Sequence, residues 1–136
     1  GTENFHQIWP NVEAYFHAGV SLLPFKSKFQ QYFPRGLHFH QLFNASEGVF
    51  AIQHSMNAED MLLMLDYDIY YEFIPFNAYL DGKTDAIPLE GVQCGIDYVL
   101  IITNPSGLWR YIIGDIVQFT SIDPYSSVSK AGYHRY

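Results

Sequence analysis

The sequence predicts an α+β fold in which one or two helices pack on a mostly antiparallel, barrel-like sheet. Three observations lead there. A single segment, Ser21 to Phe33, carries apolar residues at helical spacing. Most of the chain beyond it alternates or is rich in aromatic and β-branched residues, as half-buried strands are. With 136 residues, 49% apolar and only 15% charged, the chain can bury a core of its own.

Asn11 to His17 reads as a short strand ending in the tight step Ala18-Gly19. Phe25, Phe29, Tyr32 and Phe33 line one helical face, with Lys26, Lys28, Gln30 and Gln31 opposite. Pro24 suits the first turn, and Pro34 with Gly36 stops the helix. Leu37 to Phe43 alternates, placing Leu37, Phe39, Gln41 and Phe43 on one face. Met61 to Leu65 is apolar on both faces, as in a covered strand. Ile69 to Phe76 is a strand ended by Pro75, and Asn77 to Pro88 is a polar loop. Val92 to Thr103 and Leu108 to Thr120 form the strongest pair, joined by Asn104-Pro105-Ser106-Gly107, which has turn chemistry. Gly114-Asp115 interrupts the second strand and marks a bulge. No linker or repeat is visible, so residues 1–136 are expected to be a single unit, with an atypical tail over 124–136.

Charge and composition exclude several classes. Seven basic against fourteen acidic residues give −7, which argues against a nucleic-acid or anionic-membrane partner. No apolar run is long enough to span a bilayer as a helix. One cysteine, Cys94, excludes an internal disulfide and fits a reducing, cytoplasmic setting. The aromatic content of 18% with few charges suggests a surface that contacts more protein, including another copy of the chain.

Two segments could carry chemistry. In Phe43-Asn44-Ala45-Ser46-Glu47-Gly48 a β-like run stops at small and polar residues. Such a strand end can present a hydroxyl, a carboxylate and backbone N–H groups, and a lone carboxylate beside a hydroxyl suits Mg²⁺ that also takes substrate phosphates. Taken locally, an ordinary turn with a solvated Glu is the commoner outcome. In Trp109-Arg110-Tyr111-Ile112-Ile113-Gly114-Asp115 a carboxylate sits within an apolar strand. It needs a partner, either ribose hydroxyls or nearby backbone N–H groups, and the backbone is the commoner partner. His38 and His40 share a strand face, where a polar surface outweighs a zinc or copper site. Cys94 has no activator readable in the sequence and reads as an inert thiol. Neither a Gly-x-Ser-x-Gly elbow nor a readable triad occurs.

Together these segments resemble a known family. Phe43-Asn44-Ala45-Ser46-Glu47-Gly48 is similar to the Tyr-x-x-Ser-Glu-Gly-Phe segment of the auxin-responsive Gretchen Hagen acyl-acid amido synthetases. Tyr71-Glu72-Phe73-Ile74-Pro75 resembles the family's Tyr-Glu-Phe-Ile-Pro. Gly107 to Asp115 resembles Gly-Leu-x-Arg-Tyr-Arg-x-Gly-Asp, and Trp9-Pro10-Asn11 and Ala18-Gly19-Val20 resemble a Trp-Pro-Asn and a Gly-Gly-Val step. The likeness points to the bacterial branch and, beyond it, to the adenylate-forming superfamily.

The resemblance implies the later part of a large adenylate-forming domain. It also implies an ATP-dependent ligase: a carboxylic acid attacks the α-phosphate of Mg-ATP, and an amine, usually of an amino acid, then displaces AMP from the acyl-adenylate. Carried over by position, Ser46 would bind a phosphate oxygen and Glu47 would hold Mg²⁺. Phe43 would stack on adenine, beside Asn44, and Ala18, Gly19 and Val20 would approach the base with their backbone. Asp115 would take the ribose hydroxyls, with Tyr111 nearby. Ile112 stands where the family has Arg, and Ala18 where it has Gly. The family's phosphate loop and C-terminal lid have no counterpart in the chain, so the chain is expected to be inactive alone. A non-catalytic module that encloses a small ligand in an aromatic β-barrel is the alternative.

Overall fold

The computed structural model describes residues 4–19, 22–56, 58–122 and 126–133, without the side chains of residues 23 and 129–133. Among the described residues nine strands form one sheet: β1 (Ala14–Ala18), β2 (His38–Ala45), β3 (Gly48–Ile52), β4 (Met61–Leu63), β5 (Tyr70–Pro75), β6 (Ile87–Pro88), β7 (Asp97–Thr103), β8 (Tyr111–Ser121) and β9 (Ser127–Tyr133). Two helices, α1 (Lys26–Tyr32) and α2 (Phe76–Leu80), accompany them. The spatial order is β1-β2-β3-β4-β9-β8-β7-β5-β6. Every pair of neighbouring strands is antiparallel except β1 and β2, which run parallel with Ala18 opposite Leu42. The α+β, mostly antiparallel expectation holds.

The sheet is open at β1 and β6, yet it curls. Phe43 and Phe50 from one side share a core with Phe73, Leu100 and Phe119 from the other, closed by Met61 and Val128 between them. Flat strands so far apart in the order would not meet. Aromatic rings supply much of this core. Phe73 and Phe119 lie 5.1 Å apart edge to face, and Tyr98 meets both. Burying each such ring contributes about 1.5–3 kcal/mol. On the outer face, Ile74, Val99 and Ile101 are covered by Phe76 and Tyr79 of α2.

Helix α1 is shorter than the periodicity predicts. A 3-10 turn over Leu23–Phe25 replaces its first turn, and Phe25 is exposed. Phe29 anchors the helix by packing on Tyr15 and Phe39. The Trp9-Pro10 segment is tied to the helix end: Phe5 stacks on Tyr32, and Arg35 donates to the Pro10 carbonyl at 2.8 Å.

The region read as a polar loop, Asn77 to Pro88, contains most of α2 and the short β6. Strand β7 begins at Asp97 rather than Val92, because Gly95 turns the chain at φ +79°. The bulge at Gly114-Asp115 is present. Val99 pairs with Ile116 and Ile101 with Ile112, so three residues of β8 stand against Leu100 alone, and Gly114 takes φ +88°. Of the tail, residues 127–133 form β9 and pair with β8 and β4; residues 123–125 and 134–136 lie outside the described residues.

Candidate nucleotide-side site

The parallel β1–β2 pair decides where the candidate residues stand. Parallel strands end together, so Ala18-Gly19 lies beside the Leu42–Phe43 step, just before the β2–β3 turn. Carboxyl ends of adjacent parallel strands are the usual place for a ligand. Gly19 has φ +87° and open space where a Cβ would sit, so its backbone is approachable there. Val20, its expected companion, lies outside the described residues.

Ser46 and Glu47 are the two residues of the tight turn between β2 and β3. The Ser46 hydroxyl donates to Glu47 Oε2 at 3.0 Å, so hydroxyl and carboxylate act as one polar unit. Ser46 and Asn44 are exposed and Glu47 is half-buried. A second hairpin abuts this turn. Asn104, at the β7–β8 turn, donates from Nδ2 to the Glu47 carbonyl at 3.3 Å. The expected Asn104-Pro105-Ser106-Gly107 turn therefore reaches the Ser46–Glu47 turn across 57 residues of sequence.

Two candidates are enclosed. The Phe43 ring is 1% exposed and packs edge-on against Phe50 at 5.1 Å. Stacking on adenine needs a free ring face, and this ring belongs to the core. Asp115 is also enclosed, at 3% exposure, and is engaged within the protein. Tyr111, four residues before it, reaches the surface.

Mg²⁺ chemistry can be tested on the donor set. Among the described residues, no three or more His, Cys, Asp or Glu side chains gather to hold a metal. The turn offers one carboxylate and one hydroxyl, so Mg²⁺ there would need phosphate oxygens to complete its six-coordinate shell. His40 stacks on Phe16 at 5.0 Å, which fits a strand-face role. Cys94 is free and exposed.

A sizeable cleft among the described residues lies elsewhere. A cleft of about 740 Å³ opens between α1, β1, β2 and the β3–β4 connection, lined by His17, Lys26, Phe39, Gln41, Gln53 and Asp60 among others. Neither Ser46, Glu47 nor Asp115 lines it or the second cavity of about 340 Å³ beside Arg35. Gln53 frames the cleft: its Oε1 accepts from Gln41 N, and its Nε2 donates to the carbonyls of Ser55 and Ala58. The only trace of this in the sequence is Gln41, a polar residue on an otherwise apolar strand face.

Comparison with known proteins covers the stretch from β4 to β8 and, with single relatives, most of the chain. Residues 62–126 match the GH3 family central domain. The chain is 30% identical over 123 residues to indole-3-acetic acid-amido synthetase GH3.4 of Arabidopsis thaliana, covering 84% of this chain and 20% of that protein. It is 42% identical over 50 residues to jasmonoyl--L-amino acid synthetase JAR4 of Nicotiana attenuata, covering 36% of this chain and 9% of the relative. Among solved structures, the AtGH3.15 acyl acid amido synthetase in complex with 2,4-DB superposes with a TM-score of 0.74 at 18% identity, covering 96% of this chain and 23% of that one. That likeness establishes the fold. The sequence matches support a fragment of the GH3 family, and the chain spans about a fifth of the length of the GH3 synthetase it matches over most of its own length.

Proposed function

We propose that this chain is the nucleotide-side portion of an ATP-dependent acyl-acid amido synthetase, from the bacterial side of the GH3 family. One observation carries the reading: the approachable Gly19 backbone and the coupled Ser46–Glu47 pair follow the same ends of the parallel strands β1 and β2. The adenine would lie against the Ala18-Gly19 backbone, Ser46 would donate to a phosphate oxygen, and Glu47 would take Mg²⁺ brought in with the triphosphate. Asp115 would meet a ribose only at the Gly114 bulge, beside Tyr111. A synthetase of this kind accelerates its first step by holding the acid in line with the α-phosphate and neutralising charge. The chain by itself would bind nucleotide without turning it over.

Isothermal calorimetry of the chain with AMP and ATP, with and without Mg²⁺, tests the reading. The expected result is weak, Mg²⁺-dependent binding that Glu47→Gln removes. Binding unaffected by Mg²⁺ and by Glu47→Gln would overturn it.

The 740 Å³ cleft favours a second reading, a small-ligand module without catalysis. Its volume is in the range of drug-sized ligand sites. Binding of an aromatic or fatty acid that ignores Mg-AMP and is lost in Gln41→Leu would favour the module. Exposed Phe16 and Trp109, at 60% and 81%, support an interaction surface, including self-association, which light scattering at rising concentration tests. The free Cys94 fits a cytoplasmic setting.

A further inference from the structure

We propose that Asn104 is the positioning residue of the Ser46–Glu47 turn, clamping it to the β7–β8 hairpin so that hydroxyl and carboxylate hold one pose for an incoming phosphate. The inference rests on the nucleotide reading above for what the pose serves, and on geometry for the clamp itself.

Asn104 has its amide oriented by its own hairpin. Oδ1 accepts from Ser106 N at 3.1 Å and from Leu108 N at 3.3 Å. Two backbone donors on one side settle which end of the amide is oxygen. The backbone is held as well: Asn104 N donates to the Leu108 carbonyl, and Gly107 N donates to that of Asn104. With Oδ1 committed, Nδ2 points out of the hairpin and meets the Glu47 carbonyl. The residue is thus a cap for one turn and a tether for another.

The tethered turn is restrained on its far side too. A Cβ on Gly48 would fall 3.2 Å from Ile69 Cδ1 and 3.4 Å from Phe50, so the chain leaves the turn pressed against side chains. Between these two restraints the Ser46 hydroxyl sets the Glu47 carboxylate. The Ala45–Gly48 pairing fixes the backbone of this two-residue turn, and the Asn104 tether fixes where the turn sits against the β7–β8 hairpin. A site for a charged ligand gains most when its groups are held before the ligand arrives.

Asn104→Asp separates the two jobs. It keeps an acceptor for the Ser106 and Leu108 N–H groups and replaces the donor facing Glu47 with a second acceptor. Hydrogen exchange should quicken about tenfold at residues 46–48, the effect of one lost hydrogen bond. Exchange at 106–108 should hold. Affinity for AMP in the presence of Mg²⁺ should fall severalfold, although the added negative charge alone would attract the cation more strongly. In a Ser46→Ala background the same substitution should lower AMP affinity less, because the pair whose pose it disturbs is already broken. Should Asn104→Asp not fold, Asn104→Ser is the second variant: its hydroxyl can cap Ser106 N but is too short to reach Glu47. Unchanged exchange at 46–48, or an equal loss of affinity in both backgrounds, would overturn the clamp. If the unmodified chain binds no nucleotide while Asn104→Asp still frees the turn, the clamp stands and the nucleotide reading falls.

Discussion

Arg110 reaches back to Glu72, Nε to Oε2 at 3.1 Å, while its own backbone sits in the left-handed region at φ +47°. The strained residue opens β8, and its ion pair fastens that opening to β5. Arg110 N also donates to Thr103 Oγ1 at 3.0 Å, closing the end of the β7–β8 hairpin.

The left-handed conformation costs an L-residue about 1–2 kcal/mol, whereas an exposed ion pair contributes about 0.2–1 kcal/mol. Strain therefore outweighs the pair. Arg110→Gly should be more stable than Arg110→Ala by about 1 kcal/mol in urea denaturation, since both lose the ion pair and only Ala keeps the strain. Equal stabilities would show that the φ value is not a source of strain.

Tyr71 predicts an alkaline limit. It is buried, its hydroxyl donates to the Met64 carbonyl at 3.0 Å, and burial pushes its pKa well above the ordinary 10.0. The folded chain then keeps the phenol proton where the unfolded chain releases it. This contribution is complete below the unfolded pKa and is lost as pH rises toward the folded one, by up to about 1.4 kcal/mol per pH unit. Denaturation midpoints measured from pH 8 to 11 should fall above about pH 10. Tyr71→Phe should flatten that fall and lower stability near neutrality by about 1–2 kcal/mol, since the Met64 carbonyl loses its donor.

Phe73 and Phe119 hold the curl of the sheet. Phe73 is fully buried and touches both Phe119 and Tyr98. Phe73→Ala should destabilise by about 3–5 kcal/mol through lost transfer energy and the cavity left behind. Thermal unfolding followed by near-ultraviolet circular dichroism would register it as a loss of aromatic signal at a lower temperature.

Gln53 should behave as a brace of the cleft. Gln53→Leu removes one acceptor and the donors to two carbonyls, with a cost of about 1–3 kcal/mol. Hydrogen exchange should rise at residues 54–60 and not in β7 or β8. A uniform rise would mean global destabilisation instead.

The kind and order of most elements were readable in the sequence, because alternation, helical spacing and turn chemistry are local. The Asn104–Gly107 turn, the Gly114 bulge and the strand over 37–43 follow from such patterns. Their limits follow less well. Phe76 and Tyr79 form a helical face too short to show as a period, so α2 hid within a polar loop. Helix α1 starts later than the periodicity suggests: Phe29 and Tyr32 meet ring partners in the fold, whereas Phe25 is exposed. For the site, the sequence singled out Ser46, Glu47 and Asp115 as residue types suited to a nucleotide. Only the curl of the sheet decided that Asn104 would touch Glu47, that the Phe43 ring would close the core, and that Asp115 would be enclosed. Those outcomes depend on which strand faces which across the interior, and no short window of sequence carries that distance.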